Sequence, residues 1–292
     1  MARLKEKFFP FFLISPSVLI ILFIITFPLG FSLYVSFTGY SLLTPGSMVF
    51  TGAENYITLI RDPVFWQSLK NTVIFLTIGI NTELFLGLGI ALLLARELKG
   101  GRILRTVSMI PMMFAPILVG FQFKWFFNDQ VGMLNNLLYT FNVIQRPIIW
   151  LIRRDLAMFS ILVGEIWRGT SFMIIILTAG LMSLPKDPFE AAEVDGASGF
   201  QKFRHITFPL LSPFIFIAMA IRSLDIATAF DIVQIMTGGG PAHRTELIWT
   251  YVYRVGIVDT QFGLGSAMSY VTVIISVGFA YYLFKQLLKT RR

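Results

Sequence analysis

The chain has 292 residues, 55% of them hydrophobic and only 14% charged, with a mean hydropathy of +0.74. That is too apolar for a water-soluble domain of ordinary composition, so the expected class is an all-α integral membrane protein. The lack of cysteine excludes a disulfide framework, Cys-based zinc and thiol chemistry, and the two histidines, His205 and His243, are too far apart in sequence to suggest a metal cluster.

A bilayer core takes roughly 20 mainly apolar residues per helical span, so the length allows about six crossings in a single transmembrane domain, 1–292. The basic start, Met1-Ala2-Arg3-Leu4-Lys5-Glu6-Lys7, leads into an apolar stretch from Phe8 to about Phe37. A signal-peptide core runs about 7–15 residues and ends at a small-residue cleavage site. This stretch exceeds a full span and has no such site, which makes it the first transmembrane helix (8–37). Further apolar helices are expected at about 69–95, 106–127, 156–183, 208–230 and 264–288, separated by polar or Gly/Pro-bearing loops.

The formal charge of +8 is read from its distribution. With the N-terminus inside, Arg3, Lys5 and Lys7 share one side with Arg96, Lys99, Arg102 and Arg105. Lys186, Lys202, Arg204, Lys285, Lys289, Arg291 and Arg292 fall on that side too, so it holds more than half of the 24 basic residues. That asymmetry predicts cytoplasmic N- and C-termini in a multi-pass cell-membrane protein. It also removes the case for nucleic acid, because the positive charge is topological.

The loop at 184–207 is unusual. Pro185 and Pro188 suit a helix start, Glu190, Glu193 and Asp195 supply acids near it, and Gly196 and Gly199 suit a turn. Phe200, Phe203 and Ile206 then recur at three-residue spacing before Pro209, which predicts a short helix, a glycine turn and a second short helix. On pattern alone, an amphipathic segment lying at the membrane surface fits equally well.

Glu190-Ala191-Ala192, Gly196 and Ile206-Thr207-Phe208-Pro209-Leu210-Leu211 resemble, without gaps, the cytoplasmic EAA loop of the inner-membrane subunits of binding-protein-dependent ABC importers. Phe208 stands where leucine is commoner. Tyr34-Val35-Ser36-Phe37-Thr38, Asn55-Tyr56, Asn71-Thr72 and Thr237-Gly238-Gly239-Gly240-Pro241 with Thr245 narrow the likeness to the first-permease branch of the sugar importers, the maltose- and glycerol-phosphate-permease-like group. The resemblance implies an ABC importer permease fold and a coupling helix that docks into a separate ATPase subunit, with Glu190, Ala191, Ala192, Asp195, Gly196 and Ala197 at the contact. It further implies a second homologous permease, two ATP-binding subunits and an extracytoplasmic solute-binding protein as partners, beside membrane lipid. No G-x-x-x-x-G-K-[ST] loop is present, so no cofactor is expected on this chain and ATP and Mg belong to the partners.

The spans at 156–183 and 208–230 flank the coupling loop and are expected to line the transport path. Charges inside spans are costly and face the bundle interior or a wet cavity. Helical spacing groups Glu165, Arg168, Gly169 and Phe172 on one face, and Arg222, Asp225, Ile226 and Ala229 on the other. Such faces suit a sugar or polyol, with charges for its hydroxyls and a ring for its C–H face. An anionic sugar derivative or glycerol-phosphate ester stays open because of Arg168 and Arg222, as does a purely structural role in which Glu165 pairs with Arg168 and Arg222 with Asp225. Glu83 and Asn81, on the second span, are weaker candidates and suit a buried, hydrogen-bonded packing role better than solute contact. A secondary transporter or channel, or a membrane-embedded enzyme, would call for a broken filter-like span or clustered catalytic residues instead.

Overall fold

The computed structural model describes residues 2–44, 46–96, 99–153 and 155–290. Arg291 and Arg292 of the charge asymmetry lie outside the described residues, as do the side chains of Arg3, Lys5, Lys7 and Lys289. In chain order the α-helices are α1 (Ala2–Ser36), α2 (Glu54–Arg61), α3 (Pro63–Leu94), α4 (Gly101–Met113), α5 (Pro116–Phe126), α6 (Met133–Thr140) and α7 (Ala157–Met182). They continue with α8 (Asp187–Val194), α9 (Gly199–Lys202), α10 (Phe208–Ala227), α11 (Asp231–Met236), α12 (Ile248–Tyr253) and α13 (Phe262–Thr290). Among the described residues, five helical stretches are long and apolar enough to cross a membrane, and the count is six if the bent pair α4–α5 is one span.

That pair departs from the continuous span expected at 106–127. The chain turns through 93° between Met113 and Pro116. The cause is local: a proline ring pushes the preceding residue out of the helical region, and Ala115 takes an extended ψ of 140°. Pro116 then opens α5 at a position where its missing N–H costs nothing. The second short helix expected in the 184–207 loop is also not separate. From α9 the chain passes through one wide π turn, Phe203–Thr207, directly into α10. The wide turn accommodates the ring of Pro209, which cannot donate into a regular helical ladder.

The chain forms two compact units, one of residues up to Asp62 with Val252–Val273, the other of Pro63–Tyr251 with Ile274 onward. In the first, α1 carries its apolar side chains outward, Leu19 at 65% and Phe23 at 67% exposure, as a lipid-facing helix should. Its C-terminal end is tied by Asn55, whose Nδ2 donates to Ser36 O at 2.9 Å and Thr38 O at 2.8 Å.

The second unit has α3, α7 and α10 at its centre, with Phe75, Ile161, Met173, Leu177, Leu211 and Ile226 fully buried among them. Lipid tails are as apolar as these side chains, so burial alone does not bring spans together, and close packing must. Gly87 shows how. A Cβ there would run into Met173 Cβ, so the glycine lets α3 and α7 approach closely.

Candidate functional site

The centre of the second unit is not uniformly apolar. Glu83 on α3, Glu165 and Arg168 on α7, and Arg222 and Asp225 on α10 meet in one cluster. Arg222 donates from Nε to Glu83 Oε2 at 2.8 Å and from Nη2 to Glu83 Oε1 at 2.7 Å, a bidentate fork. The same Nη2 donates to Glu165 Oε1 at 2.8 Å, and Nη1 pairs with Asp225 Oδ2. Arg168 Nη2 donates to Glu165 Oε1 at 2.8 Å and to Asp225 Oδ2 at 3.0 Å.

Both pairs expected within a helix form, therefore; two contacts across helices join them and a third, from Arg222, adds Glu83. The cluster is sealed at one end and open at the other: the side chains of Glu83, Glu165 and Arg222 are 0%, 1% and 3% exposed, Asp225 48%. Arg222 has spent all three guanidinium nitrogens on carboxylates. Arg168 has not, for its Nε is buried without a hydrogen-bond partner.

Gly169 makes the room. A Cβ there would collide with the Glu83 carboxylate and Arg222 Nη2. Gly169→Val is therefore expected to cost about 1–3 kcal/mol by overpacking. A thermal melt of the purified chain in detergent checks this, and an unchanged Tm would mean that the cluster does not depend on the space at this position.

The structure treats the other expected path residues differently. Phe172 is half-buried and packs against the core. Ile226 is fully buried, in ordinary contact distance of where a Gly79 side chain would begin. Ala229 lies beyond the end of α10, so the helical face it was grouped on stops short of it. Asn81 is exposed and donates to Thr77 O at 2.8 Å on its own helix. Glu83, expected in a buried hydrogen-bonded role, takes one as the bidentate partner of Arg222. Its signal was present, since a carboxylate in the middle of an apolar span must find a cation.

In the 184–207 segment, α8 has no buried side chain, and Val194 and Phe200 are 89% and 69% exposed. Gly196 holds φ at +72°, and Ser198 and Gln201 form a reciprocal cap at the start of α9. Ala192 and Ala197 are half-buried, whereas Glu190, Ala191, Asp195 and Gly196 are exposed. Glu193 is bound to Lys202 at 2.8 Å, which holds its carboxyl below the usual carboxylate range. Among the described residues, neither Glu190 nor Asp195 has an ion pair.

Two of the stretches that carried the sequence resemblance meet in one place. Asn71 Nδ2 reaches the carbonyls of His243, Arg244 and Glu246 at 3.2, 3.1 and 2.9 Å, and Ile248 N donates to Thr72 Oγ1 at 3.0 Å. Within the glycine loop, Gly238 and Gly239 have positive φ, and Thr245 Oγ1 lies 2.7 Å from Thr237 Oγ1. Asn71-Thr72 and Thr237–Thr245 are thus one clamp holding a tight loop.

Residues 84–292 match the sequence pattern of the family described as binding-protein-dependent transport system inner membrane component. The chain is 33% identical to the sulfoquinovosyl glycerol transport system permease protein SmoG of Agrobacterium fabrum, over 94% of this chain and 88% of that one. It is 32% identical to the trehalose/maltose transport system permease protein MalF of Thermococcus litoralis, over 95% of this chain and 92% of that one. In fold it is similar to a chain of a bacterial ABC transporter involved in the import of the acidic polysaccharide alginate, with a TM-score of 0.81, 19% identity, and 98% of both chains covered.

Proposed function

Since the chain belongs to the family of binding-protein-dependent transport system inner membrane components, we propose that it is one of two permease chains of an ATP-driven importer for a sugar, polyol or related solute. The observation that carries this reading is the charge cluster on α7 and α10, the two spans joined directly by the exposed 184–207 segment. A signal received at α8 has a covalent path into both helices that hold the cluster. Alternating access then needs only a difference in how the partners bind the two states.

In this reading, α8 docks on one of two ATPase subunits, which hold ATP and Mg, and the chain itself binds no cofactor and catalyses nothing. Both termini are cytoplasmic. A second, homologous permease completes the path, and an extracytoplasmic binding protein delivers the solute. Asp225 lines the path at the open end of the cluster, where it can accept from a hydroxyl, with Arg168 beside it and Glu165 and Arg222 sealed behind; the buried Arg168 Nε can donate to a hydroxyl once the cluster opens during transport.

Relatives with neutral and with acidic cargo in their names both exist. The cluster favours the neutral class. Its two guanidiniums are already paired with carboxylates, so an arriving anion would find little free donor capacity.

The test is reconstitution of the chain with its co-encoded ATPase, second permease and binding protein in liposomes, with ATPase activity read against neutral sugars, polyols and sugar phosphates. A neutral ligand is expected to stimulate. Arg168→Lys keeps the cation but removes Nε, and should raise the ligand concentration for half-stimulation about tenfold. A chain that brings no ATPase with it and responds to no ligand returns the reading to a channel or secondary transporter.

A further inference from the structure

At the end of α7 away from the 184–207 segment, the last turn of α5, the stretch before α7 and the end of α11 form a small recess of about 260 Å³. Its lining includes Lys124, Phe127, Asn128, Asp129, Trp150 and Met236. One buried side chain frames it. Asn135, 2% exposed, donates from Nδ2 to Asp129 O at 3.1 Å and to Ile148 O at 3.0 Å. Its Oδ1 accepts from Ile148 N at 3.4 Å and from Trp150 Nε1 at 3.0 Å. Two sides of the recess are thus tied to one amide, and the Trp150 indole is held by its single polar atom. Its ring packs on Phe127, itself fully buried, with centroids 5.6 Å apart.

The polar groups of the lining are not engaged in the same way. Asn128 Oδ1 accepts from Gln130 N and Val131 N, both at 2.9 Å, which fixes the amide and leaves its Nδ2 as a donor. Lys124 is exposed and Asp129 half-buried. Among the described residues, neither has an ion pair. A fixed aromatic wall beside one cation, one anion and one amide donor suits a molecule with an apolar C–H face and a rim of groups that both donate and accept. A pyranose ring has that form. Its C–H face can lie on the indole, while its hydroxyls accept from Lys124 or Asn128 and donate to Asp129. Because the lining holds one charge of each sign, it gives an anionic sugar no advantage over a neutral one. The volume falls below the roughly 300–1,000 Å³ of sites for larger ligands, so it admits one ring and not a chain.

We propose that this recess is an entry subsite for one ring of the transported sugar, stacked on Trp150 and hydrogen-bonded by Asp129, Lys124 and Asn128. The proposal rests on the sugar-importer reading, which puts this end of α7 on the extracytoplasmic side. Glu165 stands eight residues beyond Ala157, the first residue of α7, about 12 Å along the helix at 1.5 Å per residue. Solute released by the binding protein therefore meets the recess before it meets the charge cluster.

The test is saturation-transfer NMR of the purified full chain in an amine-oxide detergent, which has no sugar headgroup. The probes are methyl glucopyranoside, trehalose, glucose 6-phosphate and proline. At least one of the two neutral sugars is expected to bind, with the strongest transfer to ring C–H protons, and more tightly than glucose 6-phosphate or proline. Trp150→Leu should abolish the signal. The double variant Lys124→Met, Asp129→Asn leaves Trp150 and Asn135 in place and should raise the dissociation constant at least about tenfold. Arg146→Ala, which removes an exposed cation outside the lining, should bind as the native chain does. Absence of binding by both neutral sugars overturns the proposal, as does equal affinity of the native chain and the double variant. If that equality comes with lost stimulation of the assembled ATPase by binding protein, the recess belongs to protein docking instead. Binding lost in Arg168→Lys but kept in Trp150→Leu would move the contact to the charge cluster and also overturn it. Proline or glucose 6-phosphate bound as tightly as either sugar would end the assignment to neutral sugar. The readout needs neither ATPase nor binding protein, so its failure is separable from failure of the transport reading.

Discussion

Arg222→Met is expected to destabilise the protein by about 3–5 kcal/mol, as breaking a buried ion pair does. The substitution keeps volume and removes the cation that, among the described residues, forms an ion pair with Glu83. Glu83, 0% exposed, would then hold a buried, uncompensated charge beside Glu165, which keeps Arg168. Glu83→Gln should be far milder, because it leaves two carboxylates against two guanidiniums and still offers Arg222 an oxygen acceptor. The double variant Glu83→Gln, Arg222→Met should recover part of the loss, since it removes the carboxylate that Arg222→Met leaves without its partner. Thermal unfolding of the four proteins in one detergent decides the matter. A Tm loss for Arg222→Met no greater than for Glu83→Gln would show that the cluster is solvated and contributes little.

Ala191→Trp should do the opposite, leaving the chain intact and ending its partnership. Ala191 is exposed on a helix with no buried side chain, so the substitution is expected to change stability by no more than about 0.5 kcal/mol. If α8 docks closely on an ATPase subunit, an indole in place of a methyl group at the contact should weaken association at least about thirtyfold, as a hot-spot change does. Affinity purification of the tagged permease then recovers less ATPase while its own Tm is unchanged. Gly196→Val should act by a different route. Its φ of +72° is strained for any residue with a Cβ, and most of all for a β-branched one, so the turn after α8 would reorganise at a cost of roughly 1–2 kcal/mol and re-aim the helix. Undiminished ATPase recovery with Ala191→Trp would remove α8 from the interface.

Much of the architecture is legible in the linear chain, for reasons that are local. Lipid imposes a run of about 20 apolar residues on each crossing helix, which is why the spans stand out from composition. The chemistry of the 184–207 segment is likewise carried by neighbours: a proline at the start of α8, acids in its first turn, a glycine at positive φ, and a serine capped by the glutamine three residues on. The pairs Glu165–Arg168 and Arg222–Asp225 follow from helical spacing alone, because residues three apart lie on the same side of a helix.

What only the tertiary structure decides is which faces meet and which way a helix points. Hydropathy counts residues and is blind to direction, so it reads 106–127 as one span; Pro116 carries the local cause of the break at Ala115, but its angle of 93° is set by the tertiary structure. The pairing of Glu83 with Arg222 spans 139 positions, and no periodicity within one helix predicts it. It arises because Gly87 and Gly169 let three helices approach closely, and because a carboxylate excluded from water takes whichever cation the packing brings within reach. The amino-acid order determined that the chain lives in a membrane and where its connecting segment bends. The close packing of α3, α7 and α10 determined that its isolated charges form a single site.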